Sequence, residues 1–342
     1  MIEIQCGPDA IRRAVALLRA GELVAFPTET VYGLGADAAN PAAVAALFAA
    51  KGRPQDHPVI VHVTGPDAVG RWAAEVPPVA ARLMSAFWPG PLTLILARGP
   101  RVCDAVTGGQ DTVGLRCPAH PVARDLLAAA FACGIEGIAA PSANRFGRIS
   151  PTSAADVAAE LGTRVALILD GGRCAVGIES TIVDVSHGTP RVLRPGMIDA
   201  TRLAAVAGEV LGSGGERAPR VSGSLAAHYA PTTALELVPL RGLVACAVSR
   251  LAAGETLAVL APPALIDTLA QQTGETGGTV HAVAAPDSAA AYAHDLYATL
   301  RHLDALGVSR LLVAEPPATA EWAAVCDRLA RAARGAGRRA RR

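Results

Sequence analysis

The chain has 342 residues, with 31 Lys+Arg against 30 Asp+Glu and a formal net charge of +1. At 51% hydrophobic and 18% charged residues it can pack two domains, which excludes a disordered chain. No apolar run approaches the ~18 residues of a membrane span, and seven cysteines scattered without a C-x-x-C pair exclude a disulfide framework or zinc site, so reduced thiols in a cytoplasmic protein are expected.

The N-terminal "MIEIQCGPDAIRRAVALLRA" mixes acids and arginines where an export signal would be apolar. Within it "PDAIRRAVALLRAG" predicts a helix with Asp9 as cap, Ile11, Val15 and Leu18 on one face and Gly21 as stop, and "ELVAF" predicts a strand. The next helix, "NPAAVAALFAAKG", takes Asn40 as cap and Pro41 in its first turn. Lys51, the sole lysine of the chain, falls at its C-terminal end. An ammonium kept where the other 30 of the Lys+Arg residues are arginine reads either as a task for a compact point charge or as an accident of composition.

Between these elements "GLGADA", Gly33 to Ala38, fits the dinucleotide fingerprint G-x-G-x-x-A. The acidic residue expected about 20 positions on, at the end of the following strand, is missing, because "VIVHV" runs into Val63 and Thr64. A Walker loop is excluded, since the only lysine follows Ala50.

Further strands are predicted in "HPVIVHV", "LTLILA", "DTVGLR", "GIAA", "VALILD", "STIVDV" and "RVLR", and helices in "PVARDLLAAAFACG" and "TSAADVAAELG". Many strands and few helices predict an α/β domain with a large mixed twisted sheet, spanning 1–208. The Gly/Ser/Pro-rich "GSGGERAPRVSGS" marks a linker or lid, 209–234. "TLAVLAP", "TVHAVAAP", "DSAAAYAHDLYATLRHLDALG" and "VSRLLVAEP" then alternate as a smaller, Rossmann-like α/β domain over 235–330, and 331–342 form a basic, arginine-rich tail able to touch RNA phosphates or to lie solvated.

The polar residues gather in loops and strand ends of the first 200 positions: "FPTETVYGLG", "KGRPQDHPVIVHV", "TVGLRCPAHP", "APSANRFGRISP", "GIESTIVDV" and "RVLRPG". Arg53, Arg116 and Arg194 can fork onto carboxylate or phosphate, Lys51 adds a point charge, and Thr30, Thr112, Ser142, Ser150, Ser180 and Thr181 can orient a small polar ligand. Taken singly, Arg116 reads equally as a surface pair, Ser142 with Asn144 as a turn, and His62 as a satisfied strand histidine. Together they predict a site for a small anionic molecule.

These motifs, with "FWPGPLTLIL" and the later "HYAP", closely resemble the threonylcarbamoyl-AMP synthase family with its YrdC-like domain, in the long two-domain form. The match covers about residues 8 to 234 and, more loosely, the rest. The resemblance implies an enzyme that condenses L-threonine, bicarbonate and ATP, with Mg2+, into threonylcarbamoyl-adenylate, with release of pyrophosphate. The product would pass to a tRNA threonylcarbamoyl transferase that modifies the adenosine beside the anticodon. By the same resemblance Thr30, His62, Arg116, Ala140 and Ser180 bind threonine. Arg53, His57, Thr112, Ser142, Ser150 and Arg194 bind ATP, with Lys51 and Arg53 acting on the phosphates and Tyr229 of the linker closing over the nucleotide. No protein metal ligand is implied. His57 stands where the family often has asparagine, and "SGSLAA" replaces basic residues ahead of "HYAP". The reading from another class is an RNA-binding module without turnover, using a basic groove and the arginine tail for weak tRNA binding.

Overall fold

Among the described residues, eleven strands form one mixed sheet in the order β1-β8-β2-β3-β7-β4-β6-β5-β9-β10-β11. They are β1 (Glu3–Gln5), β2 (Val24–Phe26), β3 (Gly33–Asp37), β4 (Ile60–His62), β5 (Leu92–Ala97), β6 (Thr112–Arg116), β7 (Ile138–Ala139), β8 (Leu167–Leu169), β9 (Thr181–Asp184), β10 (Arg191–Arg194) and β11 (Gly212–Ser213). Strands β4 and β6 run parallel, as do β5 and β9, while β6 is antiparallel to β5 and β7 antiparallel to β4. This is the large mixed sheet that the pattern predicts. The computed structural model describes residues 3–213, 215, 218–273 and 279–337. It divides into two units, Met1–Phe146 with Ser150–Ser224, and Gly147–Ile149 with Leu225–Arg342.

The helices of the first unit are α1 (Pro8–Arg19), α2 (Pro41–Lys51), α3 (Pro78–Phe87), α4 (Asp104–Thr107), α5 (Pro121–Ala132), α6 (Ala154–Leu161) and α7 (Ala200–Ala207). Gly7, not Asp9, is the N-cap of α1; Asp9 lies in the first turn, where a carboxylate favours the helix dipole. In α2 the Asn40 side chain accepts from the amides of Ala42 and Ala43, and Gly52 ends the helix at φ 62°, a left-handed value suited to glycine.

Alternation along the strands sorts side chains onto two faces. One face carries Ala25, Leu34, Val61, Leu94, Leu115 and Val183 into a core with Leu47 of α2, Leu83 of α3 and Leu203 of α7. On the other, Val24, Phe26, Ile138 and Leu167 pack under Leu18 of α1 and Leu126 of α5. Burying a Val or Leu side chain contributes about 1.5–3 kcal/mol, so each face is a substantial anchor. The core formed with α1 and α5 takes its strand residues from β2, β7 and β8. On the same face, farther along, lies a small apolar floor of Ile60, Ile95 and Ile182 with Val221 packed on it.

The second unit is a four-stranded parallel sheet, order β12-β15-β13-β14, made of β12 (Ala234–Val238), β13 (Leu257–Ala261), β14 (Val280–Ala284) and β15 (Arg310–Ala314). Its helices are α8 (Leu243–Ala252), α9 (Pro263–Thr273), α10 (Ala289–Asp304) and α11 (Ala323–Gly335). The central strands read as continuous apolar runs: every residue of β13 is buried, while the edge strand β14 is largely exposed. Helix α11 continues through Gly335 into the segment read as a basic tail. Residues 338–342 of that tail and residues 214, 216 and 217 of the expected linker lie outside the described residues.

Candidate functional site

Strand register builds the site on the sheet face that bears the apolar floor. Ile60 pairs with Gly114 and His62 with Arg116 across β4 and β6, Ile95 pairs with Gly114, and Thr93 pairs with Ile182. Thr112, Gly114 and Arg116 therefore share a face with Ile60, His62, Thr93, Ile95 and Ile182. A Cβ on Gly114 would sit 3.2 Å from Ile95 Cδ1, so glycine lets the floor close. At one end of β6 stands Thr112 and at the other Arg116, about 13 Å apart at ~3.3 Å per residue.

The Arg116 end is polar and buried. Arg116, 4% exposed, donates from Nη2 to Glu29 Oε1 at 2.7 Å, and Glu29 Oε2 accepts from the Ala119 amide at 3.0 Å. Its Nε is buried with no partner among the described residues. Thr30 is held by a 2.8 Å bond to Thr28, whose hydroxyl also donates to the Val31 carbonyl. Ser180 Oγ lies 2.7 Å from Thr93 Oγ1 and accepts from Arg194 Nη2 at 3.1 Å. Ala140, after β7, fixes its amide to the Ile60 carbonyl at 2.9 Å. His62 packs edge-on to Phe26, and burial, with the Arg116 charge, lowers its pKa to about 3, so the ring is neutral.

The arginines of the other group are tied down by backbone. Arg194 donates from Nε and Nη2 to the Ser180 carbonyl and from Nη1 to the Ser222 carbonyl at 2.8 Å. A Cβ on Gly196 would come within 2.4 Å of the Thr181 amide, so "RPG" can turn there only with glycine. Arg53, 7% exposed, donates to the Pro58 carbonyl at 2.8 Å and reaches Ser222 Oγ at 3.3 Å, with its guanidinium over Phe48 and Phe146. His57 meets Phe146 edge-on, and burial followed by the Arg53 charge lowers its pKa. Ser150 donates to Glu179 Oε1 at 2.6 Å.

Lys51 is 3% exposed, and Nζ donates to the carbonyls of Ser142 and Asn144. The Phe146 amide returns a 2.8 Å bond to the Lys51 carbonyl. The lone lysine thus staples the end of α2 to the "SANRF" loop; burial lowers its pKa.

Tyr229 belongs to the second unit, at φ 60°, 1% exposed, its ring 4.2 Å from His228 and 5.7 Å from Tyr297 with the Arg328 guanidinium over it. Every other residue singled out from sequence lies in the first unit. Part of the expected linker is there too: Arg220 exchanges bonds with Gln110 at 2.7 and 3.1 Å, and Val221 and Ser222 line a cleft with Thr112 and Pro58. Glu29, Thr93, Glu179 and Ser222 are the partners that sequence reasoning missed. A hydroxyl inside "LTLILA" and the two acids in "PTET" and "GIES" are their only local signals. Burial pushes the Cys174 thiol up to about 12 and raises that of Cys117, so neither supplies a thiolate at neutral pH.

Residues 16–196 match the Sua5/YciO/YrdC family model, described as Telomere recombination, and residues 198–334 match the one described as Threonylcarbamoyl-AMP synthase, C-terminal domain. The chain is 37% identical over 334 residues to the threonylcarbamoyl-AMP synthase of Pyrococcus abyssi, covering 94% of this chain and 93% of that protein. It is 36% identical to that of Bacillus subtilis, covering 97% and 95%. The crystal structure of Pyrococcus abyssi Sua5 complexed with L-threonine superposes with a TM-score of 0.86 at 34% identity, over 97% of each chain. Escherichia coli YciO, 24% identical with a TM-score of 0.51, shares the fold over 59% of this chain.

Proposed function

The chain belongs to the threonylcarbamoyl-AMP synthase family, and on that premise we propose how its site performs the reaction. It is an enzyme that makes L-threonylcarbamoyl-AMP from L-threonine for the modification of tRNA. ATP and bicarbonate are the co-substrates, and the adenylate passes to a tRNA-modifying transferase.

The observation that carries this reading is the orphaned Nε of Arg116, a buried donor at one end of a sheet face whose other end is Thr112. A buried donor without a partner costs about 1–3 kcal/mol, which an incoming carboxylate would recover. Threonine sits at this end, its carboxylate on Arg116 and its polar groups among Thr30 and Ser180. Neutral His62 and Ala140 close the pocket. ATP lies along the rest of the face, with Arg53 and Arg194 on its phosphates and Ser142, Ser150, His57 and Thr112 around it. The threonine amine first bonds the carbon of carbon dioxide, losing a proton, or that of bicarbonate, whose hydroxyl leaves with an amine proton as water; either route gives a carbamate. A carbamate oxygen then bonds the α-phosphorus, the bond to the bridging oxygen of the β-phosphate breaks, and pyrophosphate leaves. Positioning and charge stabilisation suffice; no covalent nucleophile is needed.

Magnesium in such sites is held mainly by phosphate oxygens and water, with one or two carboxylates. Among the described residues no cluster of three His, Cys, Asp or Glu side chains forms a cage. A magnesium ion brought in with ATP would be held by phosphate oxygens and water and, together with Arg53 and Arg194, would offset the phosphate charge. Lys51 acts as a positioning residue, holding the Ser142 loop. The segment from Arg220 to Ser224 acts as the lid that keeps water from the labile adenylate.

Pyrophosphate release from ATP, with threonine and bicarbonate omitted in turn, tests the reading. Release only when all three are present is expected. Salt-sensitive tRNA binding with no turnover would replace it with the RNA-binding reading.

A further inference from the structure

The second unit has a site of its own at the carboxyl end of its parallel sheet. Strand β13 continues through α9 to its neighbour β14, whereas β15, beside it, leads into α11, which packs toward β12. Connections that leave adjacent strands in opposite directions open a crevice between them, the place where open α/β sheets take ligands. A cleft of about 160 Å³ lies there, reached by residues that follow all four strands: Leu240 after β12, Pro262 after β13, Asp287 after β14 and Glu315 after β15.

The chemistry of the lining is one-sided. Tyr292 and Trp322, 4% and 6% exposed, meet edge-on at 5.6 Å in its wall, and the Tyr292 hydroxyl is buried with no hydrogen-bond partner among the described residues. Asp287 and Glu315 are exposed at its edge, their carboxylates without a hydrogen bond or ion pair among the described residues, and no lysine or arginine lines it. Nucleotide sites at this position use the free amides of a helix N-terminus. Here α9 begins at Pro263, which has no N–H, and the amides of Leu265 and Ile266 both donate to the Pro262 carbonyl. The crevice therefore repels phosphate and carboxylate and attracts a cation that brings its own donors.

We propose that this crevice binds a small aliphatic ammonium ion, held between the Asp287 and Glu315 carboxylates, the faces of Tyr292 and Trp322, and the unpartnered Tyr292 hydroxyl. Cation–aromatic contact and charge-assisted hydrogen bonds together suit selective binding in the millimolar-to-micromolar range. The cleft is smaller than the ~300–1,000 Å³ of a drug-sized pocket, which limits the ligand to a short chain such as a four-carbon diamine. The absence of a basic residue excludes a free amino acid, whose carboxylate would have no partner.

Calorimetric titration of the full chain with 1,4-diaminobutane tests the site, with butyrate as the probe of the same length and opposite charge. One saturable site per chain with Kd below about 1 mM is expected, with no heat from butyrate. The Asp287→Asn/Glu315→Gln double variant should weaken binding by at least about tenfold, the worth of one charge-assisted bond. Tyr292→Phe should weaken it by about threefold or more and leave unfolding unchanged, since its hydroxyl bonds nothing in the free protein. No saturable binding of the diamine by the wild type, or equal affinity in the double variant, overturns the proposal. Adenylate synthesis measured without the amine stays at the wild-type rate in these variants, so this test and that of the enzymatic reading fail separately.

Discussion

Arg194 donates from Nη1 to the carbonyl of Ser222 at 2.8 Å, so a guanidinium proposed for phosphate is bonded to the segment that follows the sheet. The same serine reaches Arg53 through its hydroxyl, and Val221 beside it is 5% exposed on the Ile60, Ile95 and Ile182 floor. The segment thus covers the face proposed for ATP, and on that proposal it lifts to admit the nucleotide.

Val221→Ser should loosen that seal. Losing the burial of a valine side chain removes about 1.5 kcal/mol, which raises the open population roughly tenfold. Hydrogen exchange at the amides of Val221 to Ser224 should accelerate by that factor while the β5 and β6 amides stay protected. Unchanged exchange would show that Val221 contributes nothing to the seal.

Lys51→Arg tests the staple. A planar fork in a space that fits an ammonium between two carbonyls overpacks, at about 1–3 kcal/mol, and shifts the Ser142 loop. Denaturant unfolding should report that loss, and turnover should fall at least about tenfold, since a displacement of about 1 Å near reacting groups can cost a hundredfold. Wild-type stability and turnover together would make the lysine dispensable.

Much of this was legible in the sequence, and the exceptions have physical causes. Helix α2 is marked by Asn40 and Gly52, whose cap bonds are local. Helix α3 escapes because Pro77 caps it without a side-chain bond. Strand β3 is hidden in "GLGAD", which imitates a phosphate loop. Its glycine at Gly35 serves packing instead, since a Cβ there would stand 2.9 Å from Ile138 and Phe26. At the site, the arginines and hydroxyls could be named by type. Their commitments could not: Arg116 to Glu29, Lys51 to the Ser142 and Asn144 carbonyls, and Arg194 to Ser180 and Ser222 join positions distant in the chain that meet only once strands, helix end and loops are assembled. The segment from Arg220 to Ser224, linker-like in composition, packs in the first unit, because Gln110 and Arg53 supply polar partners and the isoleucine floor an apolar one.

Arg116→Ala should raise the threonine KM by at least about tenfold, the loss of one or more charge-assisted bonds, with a much smaller change for ATP. Steady-state kinetics with each substrate varied in turn decides. A defect confined to ATP would move this arginine to the phosphates.

His62 predicts an acid limb of stability. Its folded pKa, about 3, lies below the ordinary 6.5, so the unfolded chain binds the extra proton between these values. Stability from neutral His62 is complete above pH 6.5 and is lost as pH falls toward 3, with a slope of up to about 1.4 kcal/mol per pH unit. Denaturant unfolding of His62→Gln across that window should show a shallower slope than wild type. Identical slopes would mean that the imidazole takes up a proton in the folded protein.

The most direct measurement is mass spectrometry of the nucleotide product formed from ATP, L-threonine and carbon-13 bicarbonate. Threonylcarbamoyl-AMP that carries the heavy carbon is expected, with one pyrophosphate released for each adenylate and neither formed when threonine is left out. AMP or ADP produced with no labelled carbamoyl adduct, at a rate indifferent to threonine, would contradict it.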